Sequence, residues 1–390
     1  MTKDFTIIPS PLVRGSRRAA SEDRMDWPDA LRGWAILGVM MVHCSQIFPD
    51  LVGPVRVMAD GGQYGVQLFF IVSALTICLT YGRAVGDNPM PVVETLGWYA
   101  RRFFRIAPLY YYGVGLYALI FYGMTHLGSH LEIPSPVAYL CNLLFIHTWV
   151  PVAQNDVVPG GWSIGVEMFF YGVVPFVFLK LDRPVWLIAA FIGVILCAEV
   201  GAGALREAVD PDEADFLYYW FPTQLPVFLA GMILYRLAGD RLWRNRTLGD
   251  RVELVCALAF VPLIVLGLYL GNYAYFDTIL SAPIFGIAFC CLVVMAKGRL
   301  GKVLVNFVTM TLGRVSYSVY INHFIFIFLI RAISKRTDWL AGIAPPVKLA
   351  GAFLCVSVLA FVLSLLTYRL IEAPGIAFGR RWAKAIVAAD

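Results

Sequence analysis

Apolar residues along this chain come in long runs, separated by charged or Pro/Gly-rich breaks. Ten runs stand out: 29–48, 64–81, 106–124, 162–180, 184–200, 216–236, 253–271, 276–296, 315–333 and 348–371. Most hold about 18 to 22 residues, the length an α-helix needs to cross the hydrocarbon core. Inside that core a helix satisfies its own backbone hydrogen bonds, which an open strand cannot do. The run 137–150 is shorter, and predicts a re-entrant or interfacial helix. The predicted fold is an all-α integral membrane protein, with about ten transmembrane helices, one short extra helix and the lipid bilayer as a partner.

Composition agrees. Of 390 residues, 59% are hydrophobic and 15% charged, against roughly 25% charged in soluble proteins. The eight cysteines lie in or beside apolar runs without a CxxC pair. That spacing predicts inert buried thiols, with no disulfide framework and no metal site.

The formal charge of +5 raises the question of a nucleic-acid partner. Lys and Arg placement answers it. With the N-terminus inside, the cytoplasmic side collects 25 of the 31 basic residues, leaving Arg56, Arg206, Arg331, Lys335, Arg336 and Lys348 outside. The positive-inside rule therefore accounts for the charge without nucleic acid and puts both termini in the cytoplasm. Residues 1–26 form a cytoplasmic tail, 27–374 the membrane domain and 375–390 a C-terminal cytoplasmic tail.

Ionisable groups inside the runs are the candidate chemistry, because charge at membrane depth is expensive and by default faces a polar cavity. Arg32 and His43 lie eleven positions apart in the first run. On an unbroken helix they share a face, about 16 Å apart along the axis. The plainer alternative is a snorkelling Arg and a core His bonded to a carbonyl. In the fourth run Glu167 and Tyr171 share a face at a depth comparable with His43. A carboxylate beside an imidazole fixes its tautomer and raises its basicity, as a general base requires; a Glu in a water-accessible vestibule is the alternative.

Arg102 and Arg105 precede the third run and could clamp a phosphorylated ligand, although the positive-inside rule alone supplies such residues. His323 is a second intramembrane imidazole, with hydroxyls nearby. Ser73 lies in an apolar helix, where bonding back to its own backbone is the commoner role. Trp162 opens the fourth run. Ser73, Trp162, Tyr171 and His323 are the candidates for contacting an acceptor substrate.

The order of segments resembles acyltransferase family 3, the polytopic membrane acyltransferases that modify extracytoplasmic glycans. The resemblance runs from about Asp29 to Pro374. It rests on Asp29-Ala-Leu-Arg32 through His43, Gly65 to Ser73, Arg102-Phe-Phe-Arg105-Ile-Ala-Pro108, Trp162 to Glu167 with Phe170-Tyr171, Leu312 to Tyr320 with His323, and Tyr368 to Pro374. It implies a bacterial inner-membrane enzyme that passes an acyl group, usually acetyl, from cytoplasmic acyl-CoA to a carbohydrate hydroxyl. It also implies that Arg32 and His43 are essential and that Arg102 and Arg105 serve the CoA donor. The chain departs from the family pattern at Gln67, Ala74 and Ala373, which bears on the identity of the acceptor.

The expected catalytic set is thus His43, Arg32 and Glu167, with His43 as general base or acyl carrier. Acetyl or succinyl as the group transferred, the acceptor glycan and a homo-oligomeric state all stay open. The rival reading is a transporter or flippase for a glycan or small solute, weakened by the lack of a repeat relating the two halves.

Overall fold

The computed structural model describes residues 25–86, 88, 91–126, 133–206, 208–209, 215–243, 248–273, 278–336 and 342–388. The expected tail over 1–24 lies outside them. Among the described residues there are helices and no strands. The first half contains α1 (Asp26–Ser45), α2 (Pro54–Asp60), α3 (Gly65–Val85), α4 (Val92–His126), α5 (Pro136–Leu143), α6 (Trp162–Lys180) and α7 (Pro184–Arg206). The second half contains α8 (Phe216–Tyr219), α9 (Phe221–Trp243), α10 (Asp250–Tyr273), α11 (Thr278–Lys297), α12 (Gly301–Leu304) and α13 (Phe307–Arg314). It ends with α14 (Ser316–Arg336), α15 (Pro345–Thr367), a π turn over Tyr368–Glu372, and α16 (Ala373–Ala388).

Nine helical segments of the described residues are long and apolar enough to cross a membrane. They coincide with nine of the ten apolar runs. The remaining run is α1, which is long enough, but Asp29, Arg32 and His43 dilute its apolar character. Those polar residues are tolerated because α1 is central, packed against α3, α13, α14 and α15. By contrast, α10 turns nearly all of its surface outward, with Leu254, Val255, Leu258 and Val261 exposed. An apolar helix with that much outward surface suits contact with lipid rather than water.

Contact between α1 and α13 depends on two glycines. A Cβ at Gly33 would collide with the backbone carbonyl of Thr309, and one at Gly313 with that of Asp29. Only the missing side chains let these backbones approach so closely. The approach fixes the rotation of α1, and hence the direction of Asp29 and Arg32.

Three details depart from the apolar pattern. First, α4 starts at Val92 and runs for 35 residues, so Arg101, Arg102 and Arg105 lie within a helix and not at its end. The short run 137–150 is a helix of eight residues followed by 3₁₀ turns at His147–Trp149 and Pro151–Ala153. Residues after Pro374 continue α16, which packs along α4. All eight cysteines are free, but Cys197 and Cys355 are exposed on outward helix faces, which corrects the expectation that every thiol is buried.

Candidate active site

The polar centre of the bundle is organised by α3. Its sequence Ser73-Ala-Leu-Thr76-Ile-Cys-Leu-Thr80 places three hydroxyls at i, i+3 and i+7, on one face of a helix. Each meets a charged group from a different helix. Ser73 donates to the Glu167 carboxylate of α6 at 2.6 Å. Thr76 accepts from the Arg32 guanidinium of α1 at 3.3 Å, and Thr80 accepts from Arg102 of α4. Thr76 and Thr80 were not singled out in the sequence, although hydroxyls at that spacing in an otherwise apolar helix are a readable signal.

Glu167 also accepts from Tyr171 at 2.7 Å, one turn along α6. Arg102 is buried, and its guanidinium lies 5.5 Å from the Trp98 ring centre and 5.7 Å from that of Tyr171. Such cation–π contacts offset part of the cost of burying the charge. Arg32 pairs with Asp29 at 3.4 Å, and Asp29 also reaches Arg314 at 3.7 Å. Arg32, Arg102, Arg105 and Glu167 lie within one another's electrostatic field.

A second buried carboxylate completes the group. The π turn after α15 brings Glu372 inward, where it accepts from Ser318 at 2.6 Å and faces Arg105 and Arg32. Single π turns inside helices frequently mark functional sites, and the sequence reading gave Glu372 no role. Arg32, Ser73, Arg105, Glu167, Tyr171 and Tyr317 line a cleft of ≈ 70 Å³ between these helices, closed on another side by Ser163 and Tyr320. Arg102 does not line it.

His43 lies apart from this cleft, near the other end of α1. It shares α1 with Arg32, and the helix between them is unbroken. The expected pairing of His43 with Glu167 does not form. His43 Nδ1 lies 3.2 Å from Oε1 of Gln46, the residue that caps α1. Because that oxygen only accepts, Nδ1 carries the hydrogen and Nε2 keeps its lone pair. Glu167 sits beside Ser73 at the Arg32 end of the site, about three turns of α1 away from His43. Beside His43 stand Phe324, with ring centres 4.4 Å apart, and His323, at 5.5 Å.

His323 is fully buried. Its Nδ1 faces the carbonyls of Tyr320 at 2.7 Å and Val319 at 3.2 Å, so it too is protonated at Nδ1. Its Nε2 is a buried acceptor without a partner. Tyr320 connects the two regions. It lines the cleft, shares a hydrogen bond with Ser163 at 2.9 Å, and stands 5.8 Å from the His323 ring. Trp162 does not reach the cleft; it stacks on Tyr219 at 4.5 Å and meets Phe70 edge-on.

Comparison with known proteins adds a family context to this geometry. A family described as acyltransferase domain matches residues 25–369. Proteins named "Putative O-acetyltransferase" in Staphylococcus aureus strains COL, MSSA476 and MRSA252 are 22% identical over 361 residues. That alignment covers 89% of this chain and 56% of each relative, so the chain spans about half their length. No solved structure matches.

Proposed function

The chain belongs to acyltransferase family 3, and we propose that it moves an acetyl group from acyl-CoA to a hydroxyl of an extracytoplasmic carbohydrate, in a bacterial inner membrane. The observation that carries this reading is α1 itself. It holds Arg32 in the charged cleft and His43 at its far end, with Nε2 unprotonated, about 16 Å along the same axis. One helix thus ties the Lys/Arg-rich end, where a cytoplasmic donor enters, to the end an external acceptor reaches.

The acceptor hydroxyl gives its proton to His43 Nε2 as its oxygen attacks the thioester carbonyl. A C–O bond forms, the C–S bond breaks, and the proton passes from His43 to the departing thiolate. General-base help of this kind typically supplies about 10² to 10⁴ in rate. Gln46 holds the tautomer that leaves Nε2 free. In the covalent variant, Nε2 itself takes the acyl group and hands it to the hydroxyl. His323 Nε2, buried and without a donor, is placed to receive a hydrogen bond from the substrate or from the incoming hydroxyl.

Arg105 and Arg32 serve the donor end, where their guanidinium N–H groups can hold the amide oxygens of the acyl carrier arm while its thioester reaches on toward His43. Arg102 supports that end from behind, through Thr80 and Tyr171. Glu167 balances the arginines instead of orienting His43.

The test is acetyl transfer in proteoliposomes from radiolabelled acetyl-CoA to a glycan. His43→Ala is expected to abolish labelling, and His43→Ala with wild-type transfer would overturn the reading. Trapping label on the wild-type protein by acid quench, but not on His43→Ala, selects the covalent variant.

A further inference from the structure

A second cavity, of ≈ 1180 Å³, opens at the Lys/Arg-rich end of the bundle, where the start of α1 meets the last turns of α3, α9 and α11 and the start of α12. Its wall carries five cations, Arg83, Arg236, Arg241, Lys297 and Lys302, against two carboxylates, Asp26 and Asp240. The cleft deeper inside is different. There Arg32, Arg102, Arg105 and Arg314 stand against Asp29, Glu167 and Glu372, a surplus of one cation where the vestibule has three.

Charge and volume point the same way. Phosphates entering the cleft would add negative charge to a nearly balanced group, in a space of ≈ 70 Å³ that holds only a few water molecules at ~30 Å³ each. The outer vestibule has surplus positive charge and a volume at or above the usual ~300–1,000 Å³ of ligand pockets. An independent sign comes from Trp27, which lines the vestibule and is 3% exposed. Its Nε1–H has no acceptor, and neither has that of Trp243, whose ring lies 5.4 Å away on the same wall. Buried donors without partners are rare, and each calls for an explanation; oxygen atoms of a bound anion supply one.

The vestibule also adjoins the cleft. Leu79 in its wall lies one turn along α3 from Thr76, the residue that holds Arg32.

We propose that this vestibule binds the phosphorylated adenosine end of the acyl-CoA donor. Arg241 and Lys302 meet phosphate oxygens, the Trp27 indole donates to an oxygen of the same group, and the uncharged pantetheine arm alone passes Leu79 into the cleft. The proposal rests on the acyl-CoA reading above, and it moves the phosphates away from Arg102 and Arg105, where the sequence pattern put them.

The experiment is calorimetric titration of the full chain, in phosphatidylcholine nanodiscs, with CoA, 3′-dephospho-CoA and pantetheine. Arg241→Glu with Lys302→Glu is expected to raise the Kd for CoA at least tenfold, to affect 3′-dephospho-CoA less, and to leave pantetheine unchanged. Both side chains are exposed, and the single change Lys302→Gln, with a smaller loss of the same pattern, serves if the double variant is poorly folded. Quenching of indole fluorescence by CoA should weaken in Trp27→Phe. If wild type binds CoA and the charge reversals bind it equally tightly, the vestibule assignment falls and the donor reading stands. If wild type binds no CoA at all, both fall. Displacement of CoA by phosphatidylglycerol in the nanodisc would make the vestibule a lipid-headgroup site and overturn the proposal.

Discussion

Ser73 and Glu167 face each other across the α3–α6 contact, with the hydroxyl 2.6 Å from the carboxylate oxygen that also takes the Tyr171 phenol. A carboxylate held by two hydroxyls and surrounded by guanidinium groups is fixed in place as part of a network. It therefore acts on the arginines more than on any distant imidazole.

Glu167→Gln keeps the shape and removes the charge. Leaving buried arginines short of a counter-ion costs about 3–5 kcal/mol, so the thermal midpoint in detergent should fall well below wild type. Ser73→Ala removes one hydrogen bond to a charged group, about 1.5–3 kcal/mol. A Glu167→Gln midpoint above that of Ser73→Ala would contradict the network.

Arg102→Lys should behave as a loss. Lysine keeps the charge but cannot offer a planar fork to Thr80 while lying over Trp98 and Tyr171. Acyl transfer is expected to drop about tenfold or more with the helix content unchanged by circular dichroism. Wild-type transfer would mean that charge alone suffices.

Gln46→Leu leaves His43 Nδ1 without its acceptor and frees the other tautomer. The expected outcome is kcat down by about tenfold with KM for the donor little changed, since Gln46 touches neither charged site. Combined with His43→Ala, the Gln46 change should cost nothing further, because residues acting as a unit are not additive. An additive loss would assign Gln46 a separate role.

Gly313→Ala tests the approach of α13 to α1. The new methyl group meets backbone and not a movable side chain, so strain of about 1–3 kcal/mol is expected. Reduced yield of monodisperse protein on size exclusion, compared with Gly351→Ala at an open position, would show it.

Much of the architecture was readable in the sequence because apolar runs are the dominant physical signal in a bilayer, and each of the ten long runs is helical over nearly all of its described residues. The extent of α4 was not. A trio of arginines before an apolar run looks the same whether it ends a helix or continues one; burial of Arg102 is decided by Trp98, one turn away on α4, and by Thr80 and Tyr171, which are distant in sequence. The pairing of His43 with Glu167 failed for a related reason. Residue spacing gives position along one helix, but the offset between two different helices is set by packing, and it places Glu167 beside Ser73 and Arg32, about three turns of α1 from His43. Glu372 was hidden because a π turn shifts the face on which a residue emerges, and nothing in Tyr368-Arg-Leu-Ile-Glu372 announces the change of period.

The hydroxyl stripe on α3 has a consequence for register. Three charges from α1, α4 and α6 are all held by one helix, so a slip of α3 by a single residue, a rotation of about 100°, would release them together. Partial misalignment is thereby penalised threefold at once, and the bundle has one setting in which its central charges are all accommodated.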